Sequence, residues 1–486
     1  MKTKNLTHPA LAFSAILLLA GCSLEPDYAR PASPVPASWP EGDAYTKAAS
    51  TKPGELQAAS LGWRDFFKAE PLQRLIETAL ANNRDLRVAT LNIEQARAQY
   101  RIQRADLFPS ISADASGTRQ RIPASLSSYG QSTTSSQYSV EAGVTSFEID
   151  LFGRVRSLSK EALESYFATE EAQRSSQVSL VAEVANAYLT LQADKRLLLL
   201  TDQTLKAQEE SLGLVRESFK RGISSQLDLS QAQTSVETAR VNRALYTRQV
   251  AQDKNALDLL VGTPVDAGAL GQADLTEADA LLAELPEGLP SDLLERRPDI
   301  REAEHQLRAA NADIGAARAA FFPKITLTGS GGTSSTSLAG LFDAGSGAWS
   351  FVPSISLPIF DAGKNQANLD VSKAQRDIYV AQYEKAIQTA FREVSDALAG
   401  RGTYTDQVEA QRALVKATND SYDLAQLRYR RGIDSYLTVL DSQRSLYSSQ
   451  QTLISIELER LSNLVTLYKV LGGGTVERTE ALSGKS

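Results

Sequence analysis

The sequence predicts a mainly α-helical chain with a β-barrel part, in which one helix–strand–strand–long helix–helix unit is used twice. Three observations carry this. Motifs spread over residues 85–227 recur in the same order about 210 residues later. Two stretches, near 154–221 and 364–431, read as helices too long for an ordinary globular core. Four short stretches alternate apolar residues with Ser, Thr or Gly at a period of two.

The repeat is visible residue by residue. Asp85-Leu86-Arg87 answers to Asp299-Ile300-Arg301, and Arg104-Ala105-Asp106-Leu107-Phe108-Pro109 to Arg318-Ala319-Ala320-Phe321-Phe322-Pro323. Ser159, Lys160 and Tyr166 answer to Ser372, Lys373 and Tyr379, and Arg221-Gly222-Ile223 to Arg431-Gly432-Ile433. The first copy spans 72–262 and the second 291–472, joined by a linker rich in Gly, Pro and acid at 263–290 and followed by a tail at 473–486.

Each copy opens with a helix, about Leu72–Phe108 or Pro298–Phe322, stopped by Pro109 or Pro323. Two strands follow, at about 109–122 and 137–151 in the first copy and 324–337 and 349–360 in the second. The apolar phase is even from Tyr138 to Val144 and odd from Phe147 to Leu151, which predicts a bulge between them. The long helices, about Arg154–Arg221 and Lys364–Arg431, would each measure about 100 Å at 1.5 Å per residue. Glycine at 222 or 432 then reverses the chain, and a last helix runs over about Ser225–Leu260 or Ser435–Leu471.

The long helices carry heptad-like seams. Val178, Val181, Ala185 and Tyr188 form one; Leu180, Val184, Ala187 and Leu191 form a second; Ile387, Phe391, Val394 and Leu398 stand in the other copy. Two seams on one helix predict neighbours on both sides, as in a barrel of helices. Strands with one apolar and one Ser/Thr face fit a membrane barrel wall, although a soluble sandwich has the same period. Four strands cannot close alone, and open edges in lipid leave backbone groups unpaired at several kcal/mol each. The edges therefore call for further copies, two giving 8 strands and three giving 12.

Composition narrows the chemistry. The chain is 42% apolar and 22% charged with a formal charge of −7, a poor balance for holding nucleic acid. Its two histidines are His8 and His305, and its single cysteine is Cys22. A Cys/His zinc site and an internal disulfide are thus excluded. A Ser-His-Asp triad would rest wholly on His305, which sits on a helix face with no nucleophile motif nearby. The reading is of a non-enzyme.

Residues 1–21 have a basic start, an apolar run from Leu11 to Ala20 and Gly21 before Cys22. This is a secretory signal pattern, too short to span a bilayer as a mature helix. Leu19-Ala20-Gly21-Cys22 resembles the lipobox of bacterial lipoproteins, which implies acyl chains on Cys22, and Ser23 behind it implies sorting to the outer membrane. The segment 22–71 is then a lipidated, extended lead-in, rich in Pro, Ala and Ser from Pro26 to Pro53.

With these residues in view, the mature chain resembles the TolC-like outer membrane factor family, of the OprM type. The resemblance rests on the lipobox, on Gly62-Trp63-Arg64-Asp65-Phe66-Phe67, on Arg104 to Pro109, on Glu148-Ile149-Asp150-Leu151-Phe152-Gly153, on Leu289 to Ile300 and on Tyr436 to Arg444. It implies a homotrimer with a 12-stranded outer-membrane β-barrel continuous with a 12-helix α-barrel. It implies a passive exit duct of a tripartite multidrug or solvent efflux pump, with a periplasmic adaptor and an inner-membrane transporter of the resistance-nodulation-division class. No cofactor is implied beyond the covalent lipid on Cys22. By the same resemblance Gly222, Ser225, Gly432 and Ser435 receive the adaptor at the helical tips. Leu437, Asp441 and Arg444, at i, i+4 and i+7, form a closed gate, with a lock between Asp194 and Arg401 near Tyr429. The first copy has Gln231 and Thr234 where the second has Asp441 and Arg444, so the gate charge belongs to one copy. The other readings are a type I protein-secretion duct, or a non-channel structural lipoprotein, which leaves the alternating strands unexplained.

Overall fold

The computed structural model describes residues 23–45, 60–128, 130–271, 281–283, 285 and 296–479. Cys22, the signal segment and most of the linker lie outside these residues, so the lipidation site is named only as an expectation from sequence. The described chain is mostly helical with one small sheet. Its main elements are α1 (Glu70–Asn82), α2 (Arg84–Ala105), β1 (Ile111–Ile122), β2 (Thr133–Glu148), α3 (Arg154–Lys220), α4 (Gln226–Val261), α5 (Pro298–Ala319), β3 (Lys324–Ser335), β4 (Gly347–Ser356), α6 (Lys364–Arg430) and α7 (Tyr436–Val470). Helices α3 and α6 have 67 residues each. The chain divides into two compact units.

The first unit comprises the described residues of 23–32, 92–170 and 302–384. Its sheet is antiparallel in the order β1-β2-β3-β4, so the two copies join through β2 and β3. The expected bulge is present: the β2–β3 register shifts between Val144 and Phe147, and Ser146 adopts φ 54°. Several expected strand boundaries move by two to four residues, two of them by four. Strand β2 begins at Thr133, four residues earlier than the apolar alternation suggested. Strand β4 stops at Ser356, two residues before Pro358, which has no N–H to continue a ladder. The large apolar side chains of the sheet point into open space; Trp349 is 82% exposed and Ile355 71%. Residues 24–30 lie along α5, held by Asn311 Nδ2 donating to the Pro26 carbonyl (2.8 Å) and Arg318 to that of Leu24 (3.0 Å). Arg30 and Arg308 pair with buried Glu304 at 2.9 and 2.7 Å. His305 is a structural residue: Nδ1 lies 2.7 Å from Glu164 and its ring packs on Phe167.

The second unit comprises the described residues of 33–91, 171–301 and 385–479. The seams of α3 are buried except for half-buried Ala187, with Val181, Val184, Ala185, Tyr188 and Leu191 at 0–1% exposure, and on α6 Ile387, Val394 and Leu398 are buried and Phe391 half-buried. Tyr468 stacks on Phe66 at 4.1 Å and donates to the Leu61 carbonyl at 2.6 Å. The single helix expected over Leu72–Phe108 is instead two, broken at Asn83. Asn83 Oδ1 accepts from Leu86 N–H (2.9 Å) and its Nδ2 donates to the Leu260 carbonyl (2.8 Å), so the side chain caps α2 and ties the break to α4. No helix among the described residues is long and apolar enough to cross a membrane.

Candidate gate and helical tips

The reversals after α3 and α6 are built alike. In each, Gly222 or Gly432 takes φ 71°, a left-handed conformation that costs a side-chain-bearing residue about 1 kcal/mol or more. Gly222 N–H bonds to the Phe219 carbonyl and Ile223 N–H to that of Ser218, both at 2.9 Å. Gly432 and Ile433 repeat this on Tyr429 (2.8 Å) and Arg428 (3.0 Å). These paired bonds satisfy the last carbonyls of the outgoing helix. The isoleucines that follow the glycines point outward, Ile223 at 77% and Ile433 at 58% exposure.

The returning helices start differently. Ser225 makes a reciprocal capping box: its Oγ accepts from Asp228 N–H (3.1 Å) and Asp228 Oδ2 accepts from Ser225 N–H (2.9 Å). Ser435 makes no side-chain cap bond. The second tip is instead held by Arg428, whose Nε and Nη2 reach Asp434 at 2.7 and 3.0 Å. That hydrogen-bonded guanidinium holds the Asp434 carboxyl below its ordinary range. In tip register the first copy has Ser218 and Ser224 at these places, so the bidentate pair belongs to the second copy alone.

Behind the tips, Leu212, Val215, Val236, Val439 and Leu440 form a small core with Tyr436, whose hydroxyl meets Ser211 Oγ at 3.0 Å. Tyr429 lies at the edge of this core, its ring 5.4 Å from that of Tyr436. Burial first, then the neighbouring Tyr429 and Tyr422, set the Tyr436 phenol above its usual range, against a smaller lowering by the Ser211 contact. Because Tyr436, Val439, Leu440 and Gln443 are turned in, Leu437, Asp441 and Arg444 share the opposite, exposed face of α7. Asp441 and Arg444 stand 3.8 Å apart and more than half exposed, an ion pair worth little by itself.

Asp194 and Arg401 do not join this cluster, and the lock expected between them is not formed within the chain. Lys220 ends α3, so Asp194 sits 26 residues short of that end, about 39 Å back along the helix. There its carboxyl faces that of Asp253 on α4. Burial first, then the facing carboxylate, push Asp194 up to about 6. Arg401 donates from Nη1 to the Leu285 carbonyl at 2.8 Å. A long cationic side chain donates to whichever acceptor the packing brings within reach, and for Arg401 that is the Leu285 carbonyl and not Asp194.

The sequence is matched twice by the family model for outer membrane efflux proteins, over residues 75–263 and 289–473. The toluene efflux pump outer membrane protein TtgC of Pseudomonas putida is 57% identical over 477 residues, covering 98% of this chain and 97% of its own. The antibiotic efflux pump outer membrane protein ArpC of Pseudomonas putida is also 57% identical over 477 residues, with the same coverage. Among solved structures, the open state of the Neisseria gonorrhoeae MtrE outer membrane channel is 40% identical with a TM-score of 0.85, covering 95% of this chain and 100% of that one.

Proposed function

This chain belongs to the outer membrane efflux protein family, and from that premise we propose that three copies close into the outer-membrane duct of a tripartite efflux pump. It is an outer-membrane efflux channel component. The observation that supports closure by further copies is the four-stranded sheet, whose outer strands β1 and β4 have no further partner among the described residues, and the family resemblance makes the number three. Closing those edges with like copies satisfies the backbone and places the exposed Trp349, Phe351 and Ile355 toward lipid. Three copies give 12 strands and a 12-helix tunnel of α3, α4, α6 and α7.

In this reading Leu437, Asp441 and Arg444 repeat around the pore axis as rings. The leucine ring excludes water and the charged rings narrow the path, with Tyr429 steadying α7 from behind. The tips at Gly222, Ser225, Gly432 and Ser435 receive a periplasmic adaptor that links the duct to an inner-membrane transporter of the resistance-nodulation-division class. Acyl chains on Cys22 add a second hold on the membrane. The duct works without catalysis or cofactor, and the cargo, drug or solvent, is chosen by the pump.

Conductance of the purified chain in planar lipid bilayers tests this. The wild type should conduct poorly, and Asp441→Ala with Arg444→Ala should conduct freely. A chain that forms no pores in either form would refute the duct.

A further inference from the structure

Glu457 is a buried carboxylate that the duct and its gate leave unexplained. It lies on α7, its side chain 2% exposed. Arg196 of α3 approaches one oxygen, Nη1 to Oε2 at 2.9 Å, and Arg412 of α6 the other, Nη2 to Oε1 at 3.0 Å. Three helices thus meet at one side chain, and each arginine comes from a different structural copy. Ion groups taken out of water are costly unless paired and hydrogen-bonded, and cutting a buried pair leaves an uncompensated charge. The neighbours of Glu457 on α7 are apolar: Ile454, Ile456 and Leu461 are all buried.

The arrangement has no counterpart in the first copy. In tip register, with Gly222 set against Gly432, Thr247 stands where the second copy has Glu457 and Asp202 where it has Arg412. Asp406 stands where the first copy has Arg196. The clamp therefore belongs to the same helix that carries Leu437, Asp441 and Arg444. Links that tie this stretch of α7 to α3 and α6 elsewhere join neutral groups: Tyr447 to Thr201 at 2.7 Å and Ser449 to Thr418 at 2.9 Å.

Helix α7 has 35 residues with neither glycine nor proline, so it has no built-in kink. Glu457 and Asp441 are 16 residues apart, about 24 Å along it. A constraint on one point of such a rod is felt at the other. We propose that Glu457 is a positioning residue of the gate: by holding α7 to α3 through Arg196 and to α6 through Arg412, it sets the resting place of the Leu437–Asp441–Arg444 face. This rests on the gate reading above.

The test is conductance of the full-length oligomer in planar bilayers, with its thermal midpoint measured in parallel. Glu457→Gln keeps the shape and removes the charge. It should raise the open population about tenfold, the scale of a charge-assisted hydrogen bond lost from the closed state. Arg196→Gln cuts one arm at a partly exposed side chain and should give a smaller rise; it carries the test if Glu457→Gln does not assemble. A purely structural clamp would lower the midpoint and leave conductance at the wild-type level, which overturns the proposal. The Asp441→Ala, Arg444→Ala variant separates the two readings. If it opens the channel while the Glu457 and Arg196 variants stay closed, the positioning role alone is wrong. If it stays closed, the gate reading fails and the positioning role falls with it.

Discussion

Asp253→Asn should tighten the α3–α4 pair above pH 6 and weaken a pH dependence that the wild type shows. The carboxyls of Asp194 and Asp253 face each other across these helices, and Asp253 Oδ2 is buried without a hydrogen-bond partner. Burial raises both, and Asp194 moves from 3.8 to about 6. A folded-state value above the unfolded one means that the folded chain holds the extra proton. The pair's contribution is therefore complete below about pH 4 and is lost as pH rises through about 6. Fully expressed, that rise would be roughly 3 kcal/mol. Solvent reaches this half-buried pair, so about 1 kcal/mol is the better expectation. Asparagine at 253 can donate to the Asp194 carboxylate at any pH and removes the repulsion. The assay is amide hydrogen exchange along α3 and α4 at pH 5 and 7.5, corrected for intrinsic rates. In the wild type, protection should fall about fivefold between the two, and in the variant it should fall less, since burial alone still raises Asp194. Equal pH dependence in both proteins would refute the shared-proton reading.

Ser225→Ala should cost about 1 kcal/mol at the start of α4 through loss of the capping box, whereas Ser435→Ala should be near neutral, since Ser435 makes no cap bond. Hydrogen exchange in the first turns of α4 and α7 distinguishes them. In the sheet, a Cβ at Gly332 would stand 2.1 Å from the Val140 carbonyl oxygen, while one at Gly331 meets nothing within 4 Å. Gly332→Val should therefore prevent β2–β3 pairing and abolish the assembled, heat-modifiable form on gels, and Gly331→Ala should preserve it.

Much of this was written in local patterns. The seams of α3 and α6 followed from apolar spacing, because burial on a helix repeats every three or four residues. The bulge at Val144–Phe147 followed from a phase change, because side chains in a strand alternate strictly. The capping box at Ser225 and the glycine turns are signals contained within a few residues. The break at Asn83 was not legible, since its partner at Leu260 is 177 residues away. Nothing local to Gly400 and Gly402 of α6 marks the close contacts they allow. In fact a Cβ at Gly402 would stand 2.0 Å from the Ala44 carbonyl oxygen, and one at Gly400 2.5 Å from Asn463. Arg428 and Asp434 could have been found by comparing the two tips, since both positions change together between the copies.

The sequence by itself determined the duplication, the kind and order of the elements, the two turns and the exposed face that carries Leu437, Asp441 and Arg444. Each of these depends on periodicity or on residues close together in the chain. Only the tertiary structure decided which charges meet. Glu457 finds Arg196 across 261 residues, Asp194 turns to Asp253 rather than to Arg401, and Arg401 is taken up by a backbone carbonyl. Charged side chains are long and carry no periodic signature, so their partners are fixed by how the helices pack and not by where they stand in sequence.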